Sequence, residues 1–201
     1  MKRTLVLLFL AVFFGSSLSL SGQTTPGNGR YKIAVFIPLY LDSVFDGDGG
    51  YNYGNSFPKF SSPGLEFYEG VQMAADSLRK YNAKVDIHIC DTRSAKKTVA
   101  EQLNGWGVKD ANLIIGLVSS AEAKLLAEVA LQKAIPFISA DLPNDAGIVN
   151  NPSYVILKST LKTHCEGIYK FIQKNYSLAP TIVFRKKGAY EDRLKMYFEE
   201  S

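Results

Sequence analysis

The sequence predicts an α/β fold, a doubly wound parallel sheet, and three observations carry that expectation. Lys32–Tyr40 (KIAVFIPLY) is a β-branched and aromatic run without a polar interruption after Lys32, as a strand buried on both faces requires. Strand-like and helix-like segments then alternate along the chain, and each parallel connection needs a crossover of that kind. The composition is that of a globular protein: of 201 residues, 46% are hydrophobic, 21% charged and 12% aromatic, which excludes a disordered or collagen-like chain. At roughly 150 residues per domain, the length corresponds to one domain and a fraction of another.

The elements follow in order. After the first strand, Phe67, Val71, Ala74, Ala75 and Leu78 form a helical stripe, and Pro63 suits its first turn. Lys84–Asp91 (KVDIHICD) reads as the second strand. Val99, Leu103 and Trp106 mark a helix that stops at Gly105 or Gly107. Ala111–Val118 (ANLIIGLV) is the third strand, and Ser119 opens a helix with Leu125, Leu126, Val129 and Ala130 on its apolar face. Ile135–Ser139 (IPFIS) is the fourth strand, residues 142–152 are loop, and Tyr154–Leu157 (YVIL) is a short strand. Thr163 and Glu166 have the spacing of a capping box before a stripe of Cys165, Ile168, Tyr169, Ile172 and Tyr176. Thr181–Phe184 (TIVF) reads as another strand. Tyr190, Leu194, Tyr197 and Phe198 begin a last helix whose apolar face is unmet, so the chain is expected to be part of a longer one.

At the N-terminus, Lys2 and Arg3 precede a ten-residue apolar run, Leu5–Phe14, followed by small and polar residues. This is the pattern of a removed secretory signal, and the run is too short for the roughly 20 residues of a spanning helix. Residues 1–22 are therefore expected to be a signal peptide and 23–30 a flexible lead, which makes the protein periplasmic or secreted. Without Lys2 and Arg3, 21 basic residues face 19 acidic ones and the formal net charge falls from +4 to +2. The basic clusters Lys96–Lys97 and Arg185–Lys187 are short and separated, so no nucleic-acid partner is expected. Spacing alone does not bring Cys90 and Cys165 within bridging distance, and the two are read as unpaired.

In open parallel sheets, ligands bind outside the carboxyl ends of the strands, and the candidate residues are those that end strands. Ser119, Ser120, Ala121 and Glu122 form a capping box at a helix start. The same amides and hydroxyls suit an anionic group such as a carboxylate. Asp91 and Thr92 end the second strand, where they either cap the next helix or contact a ligand. Tyr40 ends the first strand, and Ser139 and Ala140 end the fourth. No glycine-rich dinucleotide or phosphate loop occurs, so no nucleotide cofactor is expected. Residues 42–62 form a long connection in which Tyr51, Tyr53 and Phe57 either close over a ligand or, the favoured reading, belong to a surface insertion. Asp46-Gly47-Asp48 lacks the spaced acids and closing Glu of a calcium loop, and no metal is expected. The inventory for an enzyme is thin: His88 and His164 have no metal-ligand spacing, Gly116–Ser120 is not a nucleophile elbow, and His88 and Cys90 read as interior packing residues.

The phrases KIAVFIPLY, FYEGVQMAADSL, VDIHICDT, LIIGLVSSAEAKLLAEVA and IPFIS, in this order in an exported chain, resemble the first lobe of a type I periplasmic binding protein. More narrowly, they resemble the branched-chain amino-acid receptor-like, amino-acid ABC transporter substrate-binding proteins of Bacteroidetes, some of which are fused to peptidoglycan-binding LysM modules. The resemblance covers residues 31–201. It implies a first lobe over residues 31–150, and a crossover and partial second lobe over residues 151–201. It implies a non-catalytic, exported solute-binding protein that closes on an amino acid or similar small polar ligand. Contacts to the ligand would fall on Ser119, Ser120, the Ala121 amide, Ser139 and Ala140, and ABC transporter membrane subunits would be partners. The alternative is a cell-envelope interaction or regulatory module with the same fold and peptidoglycan-associated partners. The insertion at residues 42–62 departs from simple amino-acid receptors.

Overall fold

The apolar run Ile33–Ile37 lies in the interior of the sheet. In the computed structural model, which describes residues 29–201, β1 (Tyr31–Ile37) is flanked by β2 (Val85–Asp91) and β3 (Leu113–Gly116). Beyond β3 come β4 (Phe137–Ser139) and β5 (Tyr154–Ile156), giving the order β2-β1-β3-β4-β5 with every pair parallel. Residues Tyr31–Ser201 form one compact unit. The expected signal peptide and most of the lead fall outside the described residues. Among the described residues, no helix is long and apolar enough to cross a membrane.

The helices are α1 (Leu41–Val44), α2 (Ser62–Lys80), α3 (Val99–Leu103), α4 (Ser120–Lys133), α5 (Leu161–Tyr176) and α6 (Ala189–Glu199). Alternation along β1 sends Ala34 and Phe36 to one face, where they meet Cys90, Ile114 and Phe137 of the neighbouring strands, Leu103 of α3 and Leu126 of α4. Ala123, Ala127 and Ala130 line the buried side of α4, so this helix lies close to the sheet. On the other face α2 contacts β1 and β2 with Phe67, Val71, Ala75 and Leu78 half-buried, while Ala74 is exposed. Pro63 starts α2 as expected, and Gly64 sits against the Pro38 carbonyl where any Cβ would collide.

Several expectations are corrected. β1 ends at Ile37, because Pro38 has no N–H to continue the ladder and Tyr40 turns to a left-handed φ of 58°. Trp106 leaves the core face: α3 stops at Leu103, Gly107 turns with φ +85°, and the indole is 88% exposed. The N-cap of α5 is Thr160, whose hydroxyl accepts from the Thr163 N–H at 3.2 Å, so the expected box at Thr163–Glu166 lies inside the helix. Thr181–Phe184 forms no strand; Ile182, Val183 and Phe184 are 65–93% exposed because no neighbouring strand among the described residues offers its backbone a partner. Instead they border a depression of about 810 Å³ with Ile172, Leu194 and Phe198 of the α5–α6 pair. The connection at residues 42–62 holds α1, a short 3-10 turn (Lys59–Ser61), and an aromatic chain running Phe45–Tyr51–Tyr53–Phe60–Tyr40 with centroid separations of 5.0–6.1 Å.

Two outcomes follow from this packing. Leu126→Ala deletes a fully buried side chain between two rigid layers and is expected to cost about 2–5 kcal/mol in urea unfolding, with an unchanged denaturant slope. Cys90 and Cys165 are both unpaired and buried, and burial pushes the Cys90 thiol up to about 11. A thiol reagent at neutral pH should therefore leave both unmodified in the native chain and label both in denaturant.

Candidate functional site

The sheet order defines where a ligand crevice forms. From β1 the chain goes to β2 on one side and then crosses to β3 on the other, so the loops leaving β1 and β3 diverge at their carboxyl ends. One wall of this switch point is Pro38–Leu41; the other is Leu117–Ala121 at the start of α4.

Asp91 organises the first wall. Its carboxylate Oδ1 accepts from the N–H groups of Leu39 (2.9 Å), Tyr40 (3.2 Å) and Arg93 (2.9 Å), and its Oδ2 accepts from Leu41 (2.8 Å). Sequence reasoning set Asp91 as the cap of the next helix or a ligand contact, yet the group it caps is the turn after β1; Thr98 caps α3. The reason is register: Ile37 pairs with Asp91, so the end of β2 lies beside the β1 turn. Tyr40, held left-handed by this clamp, packs edge-on against Phe60 at 5.0 Å. Asp42, one residue past the clamp, accepts from the Ser94 hydroxyl at 2.8 Å and the Ala95 N–H at 2.9 Å and pairs with Lys96 at 3.3 Å. The Ser94 hydrogen bond, then Ala95 and Lys96, hold its carboxyl below the ordinary range.

The second wall carries the expected capping box. The Ser119 N–H and hydroxyl donate to Glu122 Oε2 at 2.8 and 2.7 Å, and the Glu122 N–H returns to Ser119 Oγ at 3.5 Å. Arg93 Nη1 donates to Glu122 Oε1 at 2.8 Å, tying the loop after β2 to the start of α4. Ser120 and Ala121 are exposed, and their N–H groups, in the first turn, have no intrahelical acceptor. Ser139 ends β4 fully buried, and Ala140 donates its N–H to the Gly116 carbonyl at 2.9 Å. The hydroxyls of Thr92, Ser139 and Tyr154 are buried without a hydrogen-bond partner among the described residues. Tyr154 stacks on Phe137 at 5.4 Å, and burial raises its phenol above the usual range.

The eight expected residues thus share one rim: Tyr40, Asp91 and Thr92 on one side, Ser119, Ser120 and Ala121 on the other, Ser139 and Ala140 beyond. Arg93, Asp42 and Ser94 were missed. Their only signal was position, within three residues of Tyr40 or Asp91, because the pairs they form span the chain. His88, expected in the interior, is half-buried in an edge strand with its ring edge-on to Trp106 at 5.8 Å. No group of acidic, His and Cys side chains suited to a metal occurs among the described residues.

A parallel sheet in this order with a switch-point crevice is a doubly wound α/β fold. No protein-family model matches the chain, and no curated protein matches it. Among solved structures it is similar to the leucine-binding protein LivK of Thermotoga maritima, with a TM-score of 0.50 and 21% identity over 85% of this chain and 45% of that one. The likeness is one of fold, and the chain spans less than half of that neighbour's length.

The clamp makes a direct prediction. Asp91→Ala strands four backbone donors and is expected to cost at least about 2 kcal/mol in urea unfolding, whereas Thr92→Val, which removes an unpartnered hydroxyl, should be neutral or stabilising.

Proposed function

We propose that this chain is the first lobe, whose sheet takes in β5 (Tyr154–Ile156) and so runs past the expected boundary at residue 150, followed by the crossover and the opening of the second lobe, of an exported two-lobe receptor for an amino acid or similar small polar ligand. The observation that carries the reading is the pair of open N–H groups at Ser120 and Ala121, at the positive end of α4 and on the switch point of the sheet. A ligand carboxylate would be taken by these amides, with Ser119, Tyr40, Ser139 and Ala140 around it. The N-terminal residues 1–22 would direct export and be removed, with 23–30 as a lead, leaving a periplasmic or secreted protein. The Bacteroidetes amino-acid receptor subtype and delivery to ABC transporter membrane subunits are the finer form of the same proposal, and rest on the sequence phrases alone. No catalytic step is proposed.

One observation favours a second reading. Glu122 already places a carboxylate at the helix start, held there by Ser119 and Arg93. A lobe whose anion site is filled from within suits a cell-envelope interaction module, with peptidoglycan-associated partners, that has kept the fold without the small ligand.

Titration of the isotope-labelled chain with L-leucine and other amino acids, followed by amide chemical shifts, distinguishes the two. Binding is expected to move Ser120 and Ala121 first, and Ser119→Ala with Ser120→Ala should weaken it while costing about 1 kcal/mol of stability through the lost cap. Amide shifts that stay put at saturating amino acid would reject the receptor reading and leave the interaction module.

A further inference from the structure

Of the asparagines among the described residues, only Asn104 is followed by glycine. That pairing carries a chemistry of its own, because a glycine nitrogen with no Cβ beside it reaches the preceding side-chain amide with little obstruction. Asn104 is exposed and ends α3 as its C-cap, with φ −92° and ψ −2°. Two hydrogen bonds hold the pair apart in the folded chain: the Gly105 N–H donates to the Gln102 carbonyl at 2.9 Å, and Asn104 Nδ2 donates to the Ala100 carbonyl at 3.2 Å. Both belong to a helix end that opens easily. α3 has five residues, little more than one turn, and residues 104–110 continue it only as turns and a bend. Trp106 is 88% exposed and Gly107 is left-handed at φ +85°, so little packing between Leu103 and Gly107 resists the opening. The other end of α3 is fastened by a capping box, in which the Thr98 N–H and hydroxyl both donate to Glu101 Oε2 at 2.8 Å.

We propose that Asn104 is a deamidation site whose rate is set by the fraying of α3. When the last turn opens and ψ of Asn104 rotates, the Gly105 nitrogen attacks Asn104 Cγ. A C–N bond forms there, the bond from Cγ to Nδ2 breaks, and Nδ2 leaves as ammonia with the proton of the Gly105 N–H. Water then opens the cyclic imide: attack at Cγ gives aspartate, and attack at the main-chain carbonyl gives isoaspartate, in which the chain runs through the side chain. Water is the only co-reactant. The product cannot resume the native arrangement, because a carboxylate has no N–H for the Ala100 carbonyl and its charge lies at the negative end of the helix. Gln102, two residues earlier, donates Nε2 to the carbonyls of Asp91 at 2.9 Å and Lys97 at 3.0 Å, so the change is felt at the carboxyl end of β2, beside the Asp91 clamp.

Incubation of the purified chain in mildly alkaline buffer, followed by proteolytic mapping and mass spectrometry, reads the reaction at each asparagine. Residue 104 is expected to convert to aspartate and isoaspartate ahead of every other described asparagine, and faster at higher pH, since the attacking nitrogen must give up its proton. The folded chain should convert more slowly than the same chain in urea, and Gly105→Ala should slow both, because the added Cβ obstructs the attack in either state. Thr98→Ala leaves the Asn-Gly pair intact but removes the cap, and is expected to speed conversion of the folded chain about fivefold without changing the rate in urea. Low urea, below the unfolding transition, should speed the unsubstituted chain as well, which keeps the test independent of how well that variant folds. An Asn104 that stays intact while other described asparagines convert overturns the proposal. So does a folded rate equal to the rate in urea, and so does a folded rate that neither Thr98→Ala nor low urea raises.

Discussion

The carboxylate of Asp91 is the interaction on which the rest of the rim depends. Buried at the end of β2, it collects four amide N–H groups, three of them from the turn that leaves β1. Hydrogen bonds to a charged acceptor are each worth about 1.5–3 kcal/mol, whereas holding a non-glycine residue in the left-handed region costs on the order of 1–3 kcal/mol. The clamp therefore outweighs the strain at Tyr40 and decides how the chain leaves the central strand. Gly64 completes the arrangement by letting the start of α2 reach the Pro38 carbonyl.

The two walls of the crevice are coupled through charge. Asp91 accepts from the Arg93 amide, and the Arg93 side chain holds Glu122, which in turn receives the Ser119 hydroxyl. Asp42, Ser94 and Lys96 make a second tie between α1 and the loop after β2. The start of α4 is thereby positioned against the β1 turn by groups from β2, the strand that lies on the far side of β1. A ligand entering between the walls would meet a preorganised helix start, but also a carboxylate already in place there, and this tension separates the two functional readings.

How far the fold could be read in advance varies with the physics of each segment. The burial of Ala34–Ile37, the capping box at Ser119–Glu122 and the stripe of α2 were legible, because each depends on residues close in sequence. Trp106 was misplaced because periodicity continues past Leu103 while Gly105 and Gly107 end the helix early. TIVF has the composition of a strand, but a strand exists only when another backbone lies beside it, and composition cannot report that. At the rim, all eight candidates could be found by the rule that strand ends carry sites, whereas what each contributes could not.

By itself the sequence determined a parallel α/β sheet, its element order and the residues at its carboxyl edge, since hydrophobic periodicity and capping chemistry are local. Only the tertiary structure decided that Asp91 serves the turn after β1 and that Arg93 and Glu122 meet across the crevice. Those outcomes rest on strand order and register, which bring together residues some 30 to 50 positions apart. The free energy that selects among such pairings comes from burying charge and backbone together, and that appears only once the sheet is assembled.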